Sequence, residues 1–296
     1  MKKKSVSKNN MGAWGFLTPW IIGFILFTGG PIIMSFLLSL TRWNLLGDPV
    51  FVGFQNFREL FIGNSAFLNT LRITFLFTFI NVVITVSASL FLAVLLNFKV
   101  KLIGIFQFFY FVPAVMPTVV MTSIFILMFN NQLGIVNYLL GRIGINSINW
   151  FSNPQLIWVV VAMMSIFTFS TGQMMLIFVS SLKEVPLELY EAAHLDGANA
   201  FNRFRSITLP SISPILLFNI VVATVNSFNG AFTILYPLTG GGPGNATRVL
   251  SLLIYDRAFR AFDMGTASTL AFIMFVIVAL ISLLQFRLSK RLVHYN

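Results

Sequence analysis

"TLRITFLFTFINVVITVSASLFLAVLL", residues 70–96, carries a single charge, Arg72, near its start. A helix of that length rises about 1.5 Å per residue and runs about 40 Å, more than a hydrocarbon core about 30 Å thick. With no water at that depth, backbone groups must pair within the segment or within a closed barrel. Barrel strands alternate apolar and polar over about 10 residues, and this stretch is apolar on every face. It therefore reads as a transmembrane helix.

Five further windows have the same character: Phe16–Leu40, Ile105–Phe129, Leu156–Ser181, Ile212–Phe232 and Thr266–Phe286. Hydrophobic residues make up 57% of the 296 residues and charged ones only 9%, against about 25% charged in soluble domains. The expectation is an all-α integral membrane protein of six transmembrane helices. Residues 1–15 form a tail, 16–286 the membrane domain and 287–296 a second tail. The N-terminus, "MKKKSVSKNNMGAWGFLTPWIIGF", imitates a secretory leader, but its apolar run is too long and no small-residue cleavage site follows. It is kept as the first helix.

The net charge of +11 is unevenly placed. An even number of spans puts both termini on one side. That side holds Lys2, Lys3, Lys4, Lys8, Lys99, Lys101, Lys183, Arg203, Arg205, Arg287, Lys290 and Arg291, 12 of the 19 Lys and Arg. Basic residues beside spans are retained in the cytoplasm, so both termini and residues 182–210 are expected there. A nucleic-acid partner is a poor reading, since no basic groove with stacking aromatics lies outside the spans.

All eight acidic residues, Asp48, Glu59, Glu184, Glu188, Glu191, Asp196, Asp256 and Asp263, fall outside the six windows. Ion-coupled carriers commonly bury an ionisable group at mid-membrane, because the coupled ion binds there. Energy for transport is therefore expected from elsewhere, and not from this chain. It has no G-x-x-x-x-G-K-[ST] phosphate loop, and "GGGPG" at 240–244 lacks the lysine and hydroxyl. The absence of cysteine excludes disulfides and thiolate metal sites. His194 and His294 are far apart and lack a helical carboxylate–histidine pattern. With no nucleophile–base pair either, the chain is expected to be a non-enzyme that binds no metal or cofactor.

Between two apolar windows lies "EAAHLDGANAFNRFRSITLP", residues 191–210, inside a polar segment 182–210 that holds four of the eight acidic residues. Pro186 suits a first helical position. At 100° per residue, Glu184, Glu188 and Glu191 share a face, with Leu187, Tyr190 and His194 as the neighbouring stripe. Asp196-Gly197 supplies a stop, because glycine accepts the left-handed conformation that closes a helix. Asn199 can cap a second helix to about Ile207, with Phe201, Phe204 and Thr208 on one side, and Pro210 ends it and opens the next span. Two short amphipathic helices could lie on lipid headgroups, but three glutamates would be repelled by an anionic leaflet. A protein groove is the better match for an apolar stripe with charged flanks.

This stretch resembles the EAA loop of ABC importer permeases, E-A-A-x-x-x-G, nine residues, then I-x-L-P. Glu191, Ala192, Ala193, Gly197, Ile207, Leu209 and Pro210 match at the family's spacing. The resemblance implies a type I importer (MetI-like) fold. It implies that 182–210 is the coupling loop seated in a cleft of a cytoplasmic ATPase, with Glu191 as charged contact, Asp196 beside it and Gly197 as the turn. "VGFQNFREL" (52–60), "FLNTLRIT" (67–74) and "PLTGGGPGNATRVLSLLIYDRAF" (237–259) are similar to the first permease of carbohydrate importers of the maltose/glycerol-phosphate type. The likeness spans nearly the whole chain, but without the extra N-terminal helix pair and inserted outer domain of the maltose permease itself.

From that resemblance follow the expected partners: a second permease in a heterodimer, an ATPase dimer using ATP and Mg, an extracytoplasmic sugar-binding protein, a sugar, and the lipid of a bacterial inner membrane. The outer segment 237–260 is the candidate contact for the binding protein. A substrate path is suggested by polar residues in the spans: Ser170, Thr171 and Gln173 in the fourth, and Asn219, Asn226 and Asn229 on roughly one face of the fifth, with Phe228 alongside. Amides donate and accept, as sugar hydroxyls do, and rings cover a sugar's apolar face. Ser170, Gln173, Asn226, Phe228 and Asn229 form the candidate set. The other role open to them is to bridge helices. The rival reading of the whole is a secondary transporter or facilitator working without an ATPase.

Overall fold

A computed structural model describes residues 10–97 and 103–292. The basic residues at 2, 3, 4, 8, 99 and 101 and His294 lie outside the described residues. The first window is α1 (Asn10–Phe24), which passes through a π turn (Ile25–Gly29) into α2 (Gly30–Ser39). The second window lies in α4 (Ser65–Leu96), the fifth in α13 (Ser213–Thr239) and the sixth in α15 (Met264–Leu292). These four are continuous and long enough to cross a membrane.

The remaining windows are broken. The third is α5 (Ile103–Val115) followed by α6 (Thr118–Met128), separated at Met116-Pro117. Pro117 is extended, with ψ 136°, and has no amide hydrogen to continue the ladder. The fourth is α8 (Ile157–Ile166) and α9 (Phe169–Glu184), bent by 45°. Among the described residues, the six windows expected as transmembrane helices are thus four continuous helices, one bent pair and one interrupted pair.

The bend between α8 and α9 follows from hydroxyl chemistry. Thr168 and Thr171 both donate through Oγ1 to the Ser165 carbonyl, at 2.9 and 2.8 Å. Tyr110 Oη donates to the Ile166 carbonyl at 2.6 Å. Carbonyls released by a break must find donors inside a membrane, and here side chains provide them.

Two compact units are distinguishable, one reaching Ser65 and including Leu253–Phe275, the other Ala66–Leu252 with the chain from Val276. In the first, β1 (Thr41–Arg42) and β2 (Val50–Phe51) form an antiparallel hairpin with Thr41 opposite Phe51, followed by α3 (Gln55–Phe61). Buried Asn56 donates to the carbonyls of Ser39 and Thr41, both at 2.8 Å, and Thr269 donates to Ser39 at 3.2 Å. Phe36 and Phe272 pack with ring centroids 4.8 Å apart. The outward faces of α1 and α2 remain apolar and exposed, Phe16, Trp20 and Ile33 among them, as a lipid-facing helix requires.

In the second unit α13 packs against α6 and α9, and α5 against α9. One core centres on Phe77, Phe125, Ile157, Met164 and Leu235, another on Met174, Met175, Phe178 and Ile212. Lipid is as apolar as leucine, so these contacts hold by close packing and interhelical hydrogen bonds rather than by exclusion of water. Gly172 shows how close: a Cβ there would stand 2.7 Å from Ala114 Cβ on α5 and 3.3 Å from the Phe111 ring. α7 (Ile135–Arg142) and α14 (Leu250–Tyr255) are short helices outside the apolar windows, and a π turn (Asp256–Arg260) follows α14.

Candidate functional site

The polar segment folds as a helix pair. α10 (Leu187–Leu195) begins after Pro186, whose ψ of 133° makes it the cap residue rather than the first helical residue. Glu184 is the last residue of α9, so the expected face of three glutamates reduces to Glu188 and Glu191 on α10. Gly197 takes φ +79°, a conformation that side-chain-bearing residues rarely adopt, and the Ala198 amide reaches back to the Ala193 carbonyl at 2.9 Å. α11 (Ala200–Arg203) is capped by Asn199, whose Oδ1 accepts from the Asn202 amide at 2.8 Å.

Past α11 the chain differs from expectation. It continues through a π turn (Phe204–Thr208) into α12 (Leu209–Ser211), with Pro210 inside that helix. The break before α13 comes at Ile212, and Pro214 stands in the first turn of α13. Proline at a first turn loses nothing, because that amide has no helical partner.

Glu191, Ala192, Asp196 and Gly197 are exposed; Ala193, Ile207, Leu209 and Pro210 are half-buried. Leu187, Leu195 and Phe201 are 62, 87 and 68% exposed. Three large apolar side chains beside two carboxylates thus face outward from the helix pair. Phe201 does not join Phe204 and Thr208: it points out, while those two line a cavity of about 210 Å³ beneath the pair.

A second polar feature lies at the α8–α9 bend. A cavity of about 110 Å³ is lined by Asn81, Thr85, Thr168, Ser170, Asn226 and Ser227, among others. Asn226 Nδ2 lies 3.5 Å from Ser170 Oγ, which brings two members of the expected substrate path together. Gln173 and Asn229 are exposed and do not line it. Phe228 is buried, edge-on to Phe75 at 6.1 Å, and so sits in the core instead of presenting its ring to a passage. Asn219 is also fully buried.

Asn81 was not among the residues expected to matter, yet it organises the site. Its Nδ2 donates to Ser165 Oγ on α8 at 2.8 Å, and its Oδ1 accepts from Ser227 Oγ on α13 at 2.6 Å. Ser89, two turns on, donates to the Thr171 carbonyl at 2.9 Å. One amide therefore ties three membrane segments at the bend. A lone amide in an apolar helix was the available signal, because such a group needs a partner from another helix.

The fold and these features define a multi-pass, mostly helical membrane subunit with a type I importer permease fold. Residues 85–294 match the binding-protein-dependent transport system inner membrane component family, and the chain belongs to that family. Over its full length it is 37% identical to the probable ABC transporter permease protein YesP of Bacillus subtilis (strain 168), covering 96% of that protein. It is 29% identical to the trehalose/maltose transport system permease protein MalF of Thermococcus litoralis, covering 93% of this chain and 92% of that one. A crystal structure of a bacterial alginate ABC transporter, in complex with its alginate pentasaccharide-bound periplasmic protein, contains a chain of the same fold. The TM-score is 0.81 at 20% identity, over 96% of both chains.

Proposed function

We propose that this chain is one of two permeases in a sugar importer of the ABC class, with both termini in the cytoplasm of a bacterial cell. α10 and α11 are its coupling pair, seated in a groove of a cytoplasmic ATPase dimer that uses ATP and Mg. A sister permease completes the passage, and an extracytoplasmic binding protein delivers the sugar. The chain itself hydrolyses nothing and holds no cofactor.

The carrying observation is the outward face of the helix pair, where exposed Leu187, Leu195 and Phe201 flank Glu188 and Glu191. Apolar surface of that kind at a polar membrane boundary fits a protein groove. The sugar assignment draws on the trehalose/maltose relative and on the amide and hydroxyl lining of the cavity at the α8–α9 bend. Movement of α10 on ATPase closure would pass into α13, which carries Asn226, and would alternate the side from which the passage opens.

The test is Glu191→Lys. Insertion should survive, while ATPase co-purification and ATP-driven uptake fall together. Normal recovery of the ATPase and normal uptake would remove Glu191 from the interface.

A further inference from the structure

The covalent path from α10 to α13 is a poor transmitter. It has non-helical points at the turn at Gly197 and at Ile212, and between them α11, the π turn and α12 form one continuous helical stretch. Displacement is most easily absorbed at the turn, where the helical ladder is interrupted. Beneath the pair lies a partly open cleft of about 210 Å³, lined by Asn97, Leu182, Tyr190, Arg203, Phe204 and Thr208 among others. Where side chains do not touch across the cleft, no packed contact passes displacement on.

A side-chain hydrogen bond crosses this cleft. Tyr190 Oη and Thr208 Oγ1 are 2.9 Å apart, joining residues separated by 18 positions. Tyr190 lies in the middle of α10, one residue before Glu191. Thr208 is buried and closes the π turn, and its carbonyl accepts the Ile212 amide at 3.1 Å. Ile212 is itself fully buried in the core with Met174, Met175 and Phe178 of α9. The route from α10 through Tyr190 and Thr208 to Ile212 therefore bypasses the flexible turn and ends one residue before α13.

We propose that the Tyr190–Thr208 hydrogen bond is a strut that makes α10 and the start of α13 move as one body, so that Tyr190 positions α13 during transport. This rests on the coupling role proposed above for α10. A strut of this kind depends on two hydroxyls and on little else, so it can be removed without disturbing a core. Tyr190→Phe and Thr208→Val each delete one hydroxyl at nearly constant shape, and Thr208→Ser keeps it.

The chain has no native cysteine, so spin labels can be placed alone at Leu189→Cys on α10, away from the docking face, and Phe218→Cys on α13, both exposed positions. In the assembled transporter, the distance between them is measured without nucleotide and with ATP–vanadate. The expected result is one narrow distribution unchanged by nucleotide in the parent and in Thr208→Ser. In Tyr190→Phe and Thr208→Val it should broaden and shift with nucleotide, and ATP hydrolysis should fall about fivefold, the factor equal to about 1 kcal/mol for one hydrogen bond. The double variant should be no worse than either single one. Distributions that stay narrow in both single variants, with the ATPase bound, would overturn the strut while leaving the docking role intact. Loss of the ATPase from Tyr190→Phe would also overturn it, by assigning the hydroxyl to docking.

Discussion

Asn81→Leu is the sharpest probe of the bend. The substitution keeps the branched shape and removes an amide that donates to Ser165 at 2.8 Å and accepts from Ser227 at 2.6 Å. Interhelical hydrogen bonds in membranes contribute about 0.6 kcal/mol each on average and at most about 1.7. Two of them therefore amount to about 1.2 kcal/mol. The average applies better than the maximum, because Ser165 Oγ keeps its donor bond to the Val161 carbonyl at 2.8 Å. Ser227 can likewise turn onto its own helix, as Ser89 does onto Thr85. At about 2–4 °C per kcal/mol for a chain somewhat smaller than this one, the melting point should fall by about 2–5 °C. The assay is thermal unfolding of the purified transporter in one detergent, for the parent, Asn81→Leu, Ser227→Ala and the double variant. The two single losses should not add, since both remove the same bond. Fully additive losses, or an unchanged melting point in Asn81→Leu, would show that the three segments are not tied through this amide.

Two other outcomes follow from the same packing. Gly172→Ala would force α9 away from Ala114, where the added carbon would come within 2.7 Å. Overpacking of this sort costs about 1–3 kcal/mol, so a lower melting temperature is expected; an unchanged one would mean that α5 and α9 do not approach so closely. Asn226→Ala should raise the sugar concentration needed for half-maximal uptake while ATPase assembly stays normal, whereas Gln173→Ala, outside the cavity, should have the smaller effect. The reverse order in uptake measurements would move the path to the exposed face of α9.

Much of the architecture could be read from runs of apolar residues, because a membrane leaves the backbone one way to satisfy itself. Less legible is where those runs break. Pro117 is a visible interruption, but the α8–α9 bend comes from "SIFTFST" (165–171), in which threonine hydroxyls compete for the Ser165 carbonyl. Nothing in hydropathy distinguishes that from an unbroken helix. The motif at 191–210 fixed the turn at Gly197 and the cap at Asn199 correctly, since both depend on local chemistry. Glu184 was misplaced because the Val185-Pro186 break, at ψ 123° and 133°, separates it from α10. Phe228 looked like a passage-lining ring next to Asn229, yet successive helical positions lie about 100° apart and one faces the core. Asn81 went unnoticed because its partners, Ser165 and Ser227, are 84 and 146 residues away.

The most direct measurement uses Ala192→Cys, an exposed position on α10 in a chain without other thiols. A short photo-activated cross-linker attached there, in native membranes, should yield one adduct containing the nucleotide-hydrolysing subunit, with a yield that changes on adding ATP. An adduct with lipid alone, at every nucleotide condition, would contradict the claim that α10 is held by an ATPase.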